Sequence, residues 1–140
     1  MSGSFIDSSV FVYSLDPSNR EKREIARRLI GDVLHNGEGS ISFQVIQETL
    51  NVITRKFQQP VVRVDLEEFL DEVLVPMWRV MPSRRLYERA LDLQSRYGKS
   101  FYDSLIVSAA LEAGCTRLYS DDLRHGQRIE GLVIENPFLS

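Results

Sequence analysis

Five short apolar segments recur along this chain, each too brief to be a helix. They are Phe5–Ile6, GSISF at 39–43, MWRVMP at 77–82, TRLYS at 116–120 and GLVIE at 131–135. Between the first four lie helical patterns, and this alternation is the strongest constraint on the fold. Short buried strands separated by helices pair through crossovers, which gives an α/β domain with a parallel sheet of about five strands. The 140 residues predict one domain over 1–140, large enough to bury about two-thirds of its unfolded surface.

The helices carry their own punctuation. SNREKREIARRLIGDVLHNG (18–37) is capped by Ser18 or Asn19 and sets Leu29 and Val33 on one face. QVIQETLNVITRKF (44–57) has a stripe of Ile46, Leu50, Ile53 and Phe57, and RVDLEEFLDEVL (63–74) starts at Asp65. The helix after Pro82 is capped by Ser83 and stopped by Gly98, and the next is ended by Gly114. Trp78 reads as strand packing, and Cys115 as a buried turn residue.

Several classes are excluded. No apolar run reaches the roughly 18 residues of a membrane span, and MSGSFIDSSVF lacks the pattern of a signal peptide. The single cysteine permits neither an internal disulfide nor a cysteine-built zinc site and fits a cytoplasmic setting. The two histidines, His35 and His125, are too few for a histidine-rich metal site. A net charge of −3 argues against a generally basic nucleic-acid binder but leaves room for a local basic patch. Gly98-Lys99-Ser100 resembles the tail of a P-loop, but the required earlier glycine is Leu93.

Chemistry is expected beyond the carboxyl ends of the strands, and acids stand there. Asp7 follows the first strand, Asp121 and Asp122 follow the fourth, Glu48 lies early in the helix after the second, and Asp103 lies in the first turn of a helix. Each has a plain structural alternative. Asp7 can cap the turn that follows it. Ser100 and Asp103 have capping-box spacing. Glu48 lies opposite its helix stripe, although Val45 and Val52 flank it, and Asp121 or Asp122 can be solvated loop. Asp103, however, shares a face with Ile106, Val107 and Ala110, and a buried carboxylate needs partners. Gathered at one sheet edge, these acids need protons or a cation, and an all-oxygen site suits Mg²⁺ or Mn²⁺.

FIDSSVFVYSL, ISFQVIQETLNVI, SFYDSLIVSAALEAGC and RLYSDDLRHGQRIEGLVIENPF, in this order and spacing, resemble the successive motifs of PIN-domain ribonucleases, above all the VapC-type toxins of toxin–antitoxin systems. The resemblance covers essentially the whole chain. It implies a three-layer α/β/α sandwich, metal-dependent cleavage of single-stranded RNA, a homodimer and a cognate antitoxin. By that resemblance Asp7, Glu48, Asp103 and Asp122 are the catalytic and metal-site acids. Asp121 is second to Asp122, Ser120 fills the small hydroxyl position, and Ser9 stands where Asn is commoner, as support for Asp7.

RNA approaching an acidic pocket needs basic flanks. Arg20, Arg23 and Arg27 share one helix face and Arg85, Arg89 and Arg96 another, although such stripes are more often solvated faces. Tyr13, Phe101 and Tyr102 offer rings for stacking, with core or interface packing the commoner use. Two other readings compete: a Mg²⁺-dependent phosphoryl-transfer domain, disfavoured because no lysine ends a strand, and a non-catalytic RNA- or protein-binding module, disfavoured because no motif acid is lost.

Overall fold

The computed structural model describes residues 3–56 and 62–139. Strand β1 (Gly3–Ile6) runs straight into α1 (Ser8–Leu15), and α2 (Arg20–Asn36) follows. Next come β2 (Gly39–Ser42) and α3 (Phe43–Lys56). Helix α4 (Arg63–Phe69) passes through a π-helical turn, Leu70–Leu74, into the one-turn α5 (Val75–Met77) and then β3 (Trp78–Val80). An α-hairpin of α6 (Arg84–Tyr97) and α7 (Phe101–Glu112) leads to β4 (Cys115–Tyr119), β5 (Arg128–Ile129) and β6 (Leu132–Glu135).

The six strands form one sheet in the order β3-β2-β1-β4-β6-β5. All neighbours are parallel except β5, which returns antiparallel on β6. The chain leaves β1 toward β2 and β3, then crosses back to place β4 on the other side of β1. Right-handed crossovers in opposite directions put helices on opposite faces. Helix α1 packs on α2 and α3, while α6 and α7 pack on each other. This is the three-layer α/β/α arrangement, and its topological switch point lies between β1 and β4, the place where such sheets open a crevice.

The caps obey local chemistry. The Asn19 side chain accepts from Lys22 N–H, Ser83 from Leu86 N–H and Ser100 from Asp103 N–H. Gly98 ends α6 in the left-handed conformation, at φ +68°, which glycine reaches without a Cβ penalty. Helix α7 is buried from Ser104 through Ala110, wider than the expected stripe of Ile106, Val107 and Ala110. A helix packed on both sides buries all its faces, and its small residues let α6 come close: Ser108 Oγ donates to Leu86 C=O at 2.9 Å.

Several expectations are corrected. Asp65 does not start α4; Val62 is the cap, with no side-chain hydrogen bond, and Asp65 stands in the first turn. On α3 the deepest positions are Val45, Thr49 and Ile53, with Ile46 and Leu50 only partly buried; Phe57 lies outside the described residues. Trp78 is 41% exposed rather than packed, because β3 is an edge strand. Helix α1 and the two-residue β5 were not expected from the sequence. Cys115 is buried, as read, and no helix among the described residues is long and apolar enough to cross a membrane.

Gly39 opens β2 against the helices. A Cβ there would stand 2.6 Å from Met77 Sδ and 3.2 Å from Val33 Cβ. Met77 would have to swing aside, and Val33, branched and buried, would have to give by a few tenths of an ångström. Gly39→Ala is expected to destabilise the fold by about 1–3 kcal/mol, read as a lower urea midpoint with an unchanged m-value.

Candidate active site

Where β1 ends, Asp7 turns the chain into α1. It is both the helix cap, accepting from Ser8 N–H at 2.7 Å, and a wall of the crevice. Its second oxygen accepts from Ser120 Oγ, also at 2.7 Å, from the end of β4. Ser120 in turn accepts from the backbone N–H groups of Asp122 and Leu123. One hydroxyl therefore ties the first carboxylate to the loop that carries the last one.

Glu48 is held from two sides. Ser8 Oγ donates to one oxygen at 3.1 Å, and Gln44 Nε2 donates to the other at 3.1 Å. Gln44 also donates to the Tyr102 C=O, which ties α3 to the start of α7. Asp103 enters from that same first turn. Its backbone N–H takes the Ser100 cap, but among the described residues its carboxylate returns no bond to Ser100. The capping box is thus only half formed, and the Asp103 side chain lines the crevice instead.

The crevice holds about 240 Å³ and is lined by Asp7, Glu48, Asp103 and Asp122, with Ser8, Asn51, Val52 and Ile106 between them. All four acids singled out in the sequence thus meet in one place. Ser8, Gln44 and Asn51 went unnoticed. For Ser8 the signal was adjacency to Asp7, and for Gln44 its position one turn before Glu48. Ser9 plays a different part from the one expected. Its hydroxyl accepts from Asp121 N–H at 3.1 Å and makes no bond to Asp7. Asp121 faces away, accepting from Asn136 Nδ2 and lying 3.8 Å from Lys22 Nζ. It belongs to the scaffold of the loop rather than to the crevice.

The arginine stripes have other partners. Arg27 Nε donates to Ser14 C=O, Arg20 pairs with Glu24, and Arg23 Nε is buried without a partner among the described residues. Arg85 and Arg89 reach Glu112, and Arg89 and Arg96 reach Glu130. Glu112 ends α7, about 14 Å along the helix from Asp103. None of the six arginines lines the crevice. Of the three rings, Tyr13 packs on Phe138 under Lys22 and Phe101 packs against the core. Tyr102 is 65% exposed, next to Asp103.

Crowded acids repel one another, and burial makes it worse. Asp7 is 5% exposed, and its pKa is raised from 3.8 to about 6. Burial is the main cause; hydrogen bonds from Ser120 and Ser8 oppose it, and the Glu48 and Asp122 charges add to it. Asp122, although open to solvent, is also pushed up, by partial desolvation and then by the Asp121 and Asp103 charges. The donor set is all oxygen and anionic, which fits a hard divalent cation. Among the described residues no three His, Cys, Asp or Glu side chains form a ready-made cage.

A mainly parallel sheet between two helical layers, with an acidic crevice at its switch point, defines an α/β/α domain whose candidate site lies at the strand ends. A PIN domain model matches residues 4–129, and the chain belongs to that family, whose members are generally nucleases. No curated protein matches the sequence. Among solved structures the fold is similar to FitAcB from Neisseria gonorrhoeae, at a TM-score of 0.65 and 15% identity over 96% of this chain and 98% of that one. It is also similar to a toxin–antitoxin complex from Klebsiella pneumoniae, at 0.63 and 14% over 96% and 98%. The sarcin–ricin loop cleaving toxin VapC20 of Mycobacterium tuberculosis matches at 0.63 and 18%, over 86% of this chain and 90% of that one.

The raised Asp7 pKa has a measurable consequence. Between pH 3.8 and about 6 the folded state holds a proton that the unfolded chain has released. Stability from this group is therefore fully present below pH 3.8 and is lost as pH rises through about 6. The loss is about 3 kcal/mol without metal. Asp7→Asn is expected to remove this pH dependence and to unfold at a higher temperature than the native protein at neutral pH in EDTA. Calorimetry across pH checks both.

Proposed function

We propose that the protein is a Mg²⁺- or Mn²⁺-dependent endoribonuclease that cuts single-stranded RNA and acts as the toxin of a toxin–antitoxin pair. The observation that carries the reading is the meeting of Asp7, Glu48, Asp103 and Asp122, drawn from four distant segments, in one crevice at the switch point. Asp7 and Asp103 would hold an ion directly, with Glu48 and Asp122 completing its shell or engaging it through water. When bound, the ion neutralises the phosphate and makes a coordinated water more acidic.

The rest falls to the chain's own groups. Ser120 and Ser8 fix the Asp7 carboxylate, so it need not reorganise when charge develops. Gln44 and Ser8 do the same for Glu48 from opposite sides. Asp122, the most open of the four, would orient the attacking water, whose oxygen bonds to phosphorus as the bridging P–O bond breaks and whose proton ends on the departing oxygen. Tyr102, exposed beside Asp103, offers a ring on which an unpaired base can stack. A base in a duplex has no free face to give it, which supports a single-stranded substrate.

The similarity to proteins described as toxins or toxin–antitoxin complexes supports the toxin role and a cognate antitoxin, and the family resemblance implies a homodimer. The lone buried cysteine suits a reducing, cytoplasmic setting.

A pool of mixed single-stranded RNA, incubated with Mg²⁺, Mn²⁺ or EDTA, tests the reading. Cleavage is expected only with metal, and Asp103→Asn is expected to lower it by about a thousandfold or more. The fold should survive, since the cap is the Ser100 hydroxyl and not the Asp103 carboxylate. Metal-independent cutting, or full activity in the variant, would sink the proposal. Tyr102→Ala is expected to weaken RNA binding by about 1–3 kcal/mol, while Tyr102→Phe retains it.

A further inference from the structure

An acidic crevice repels a phosphate strand unless cations meet it nearby. The arginine stripes on α2 and α6 do not line the crevice; Lys99 and Arg124 stand outside its lining too, but each is within four residues of one of its acids. Lys99 lies in the α6–α7 turn, four residues before Asp103. Arg124 lies in the loop after β4, two residues beyond Asp122. The two loops are pinned together: Lys99 Nζ donates to Gln127 Oε1 at 2.7 Å, and Gln127 N–H donates to Arg124 C=O at 3.3 Å.

Neither cation makes an ion pair among the described residues. Gln127 gives the Lys99 ammonium a neutral acceptor, and Asp103 is the nearby carboxylate that favours its charged form. Burial lowers the Lys99 pKa; Asp103 opposes this and the Arg124 charge adds to it. An anion bound near both side chains would offset the effect of the Arg124 charge on Lys99.

We propose that Lys99 and Arg124 form a phosphate subsite on the Asp103–Asp122 side of the crevice, which takes a backbone phosphate of the single-stranded RNA substrate. The inference rests on the ribonuclease reading and adds how the strand is held. Lys99 supplies a compact point charge and Arg124 a planar fork of donors, two complementary ways to meet phosphate oxygens. A cationic grip on one side of an acidic crevice draws the strand across the four carboxylates from that side. The Gly-Lys-Ser tripeptide that fails as a P-loop thus has a phosphate partner after all, through its lysine side chain rather than a glycine-rich backbone.

A short labelled RNA of mixed sequence serves as probe. Its binding is measured in EDTA across a salt series, and its cleavage with Mg²⁺ gives kcat and KM. Lys99→Ala and Arg124→Ala are each expected to reduce the slope of log affinity against log salt by about 0.7, and the double variant by about 1.4. KM should rise with kcat little changed, the pattern of lost ground-state binding. Lys99→Arg and Arg124→Lys should keep the slope. Arg84→Ala, which removes an equal charge from a 92% exposed side chain on α6, should leave it unchanged. If the native protein binds and cuts the RNA and the double variant does so with the same slope and KM, the subsite is wrong and the ribonuclease reading stands. If the native protein neither binds nor cuts the pool with any metal, the ribonuclease reading fails and takes the subsite with it.

Discussion

The hydrogen bond from Ser120 to Asp7 joins residues 113 positions apart at the centre of the sheet. It spans the seam between β1 and β4, the one place where neighbouring strands send the chain to opposite sides. A crevice opens there, because the chain leaves β1 through α1 toward β2 on one side and leaves β4 through a loop toward β6 on the other. Asp7 is buried at that seam, and a buried carboxylate without donors would cost several kcal/mol. The Ser120 hydroxyl and the Ser8 N–H make it tolerable, and in doing so they aim the crevice.

The rest of the site extends outward from that bond. Ser120 also receives the N–H groups of Asp122 and Leu123, so the loop after β4 folds around the same hydroxyl that holds Asp7. Ser8 reaches on to Glu48, Gln44 reaches from Glu48 to Tyr102, and Asp103 follows Tyr102. On the outer side, Asn136 binds Asp121, while its N–H donates to His125 Nδ1, fastening the segment after β6 to the loop after β4. A chain of polar groups thus links α1, α3, α7 and the C-terminal segment, and its four acids keep like charges close. Burial of Asp7, and to a smaller degree that repulsion, is the stored cost of the site, and both favour whatever brings positive charge into the crevice.

Helices and strands were legible wherever the pattern was long or punctuated. Ser83, Ser100 and Gly98 act where their local chemistry says they should. Helix α1 was not legible, because SSVFVYSL is an apolar, β-branched and aromatic run whose period does not separate strand from helix. Strand β5 has two residues, too few to leave a pattern. Trp78 reads as core by its chemistry, yet whether a strand lies at the edge or the middle depends on partners that its own residues do not name. The same holds for Ser8 and Ser9: both are serines beside an aspartate, and only the turn at the end of β1 decides which faces Asp7 and Glu48 and which faces Asp121.

The sequence by itself determined that this is an α/β domain with a parallel sheet, that acids follow its strands, and that their order resembles the PIN-domain pattern. Those properties are local or nearly so: periodicity, caps, and the residue after each strand. The tertiary structure decided that Asp122 and not Asp121 enters the crevice, that the α6 arginines turn to Glu112 and Glu130, and that the loops carrying Lys99 and Arg124 are tied together through Gln127. Each of those outcomes depends on which loops meet across the sheet. Strand order sets that meeting, and strand order is fixed by the packing of both helical layers at once rather than by any single stretch of chain.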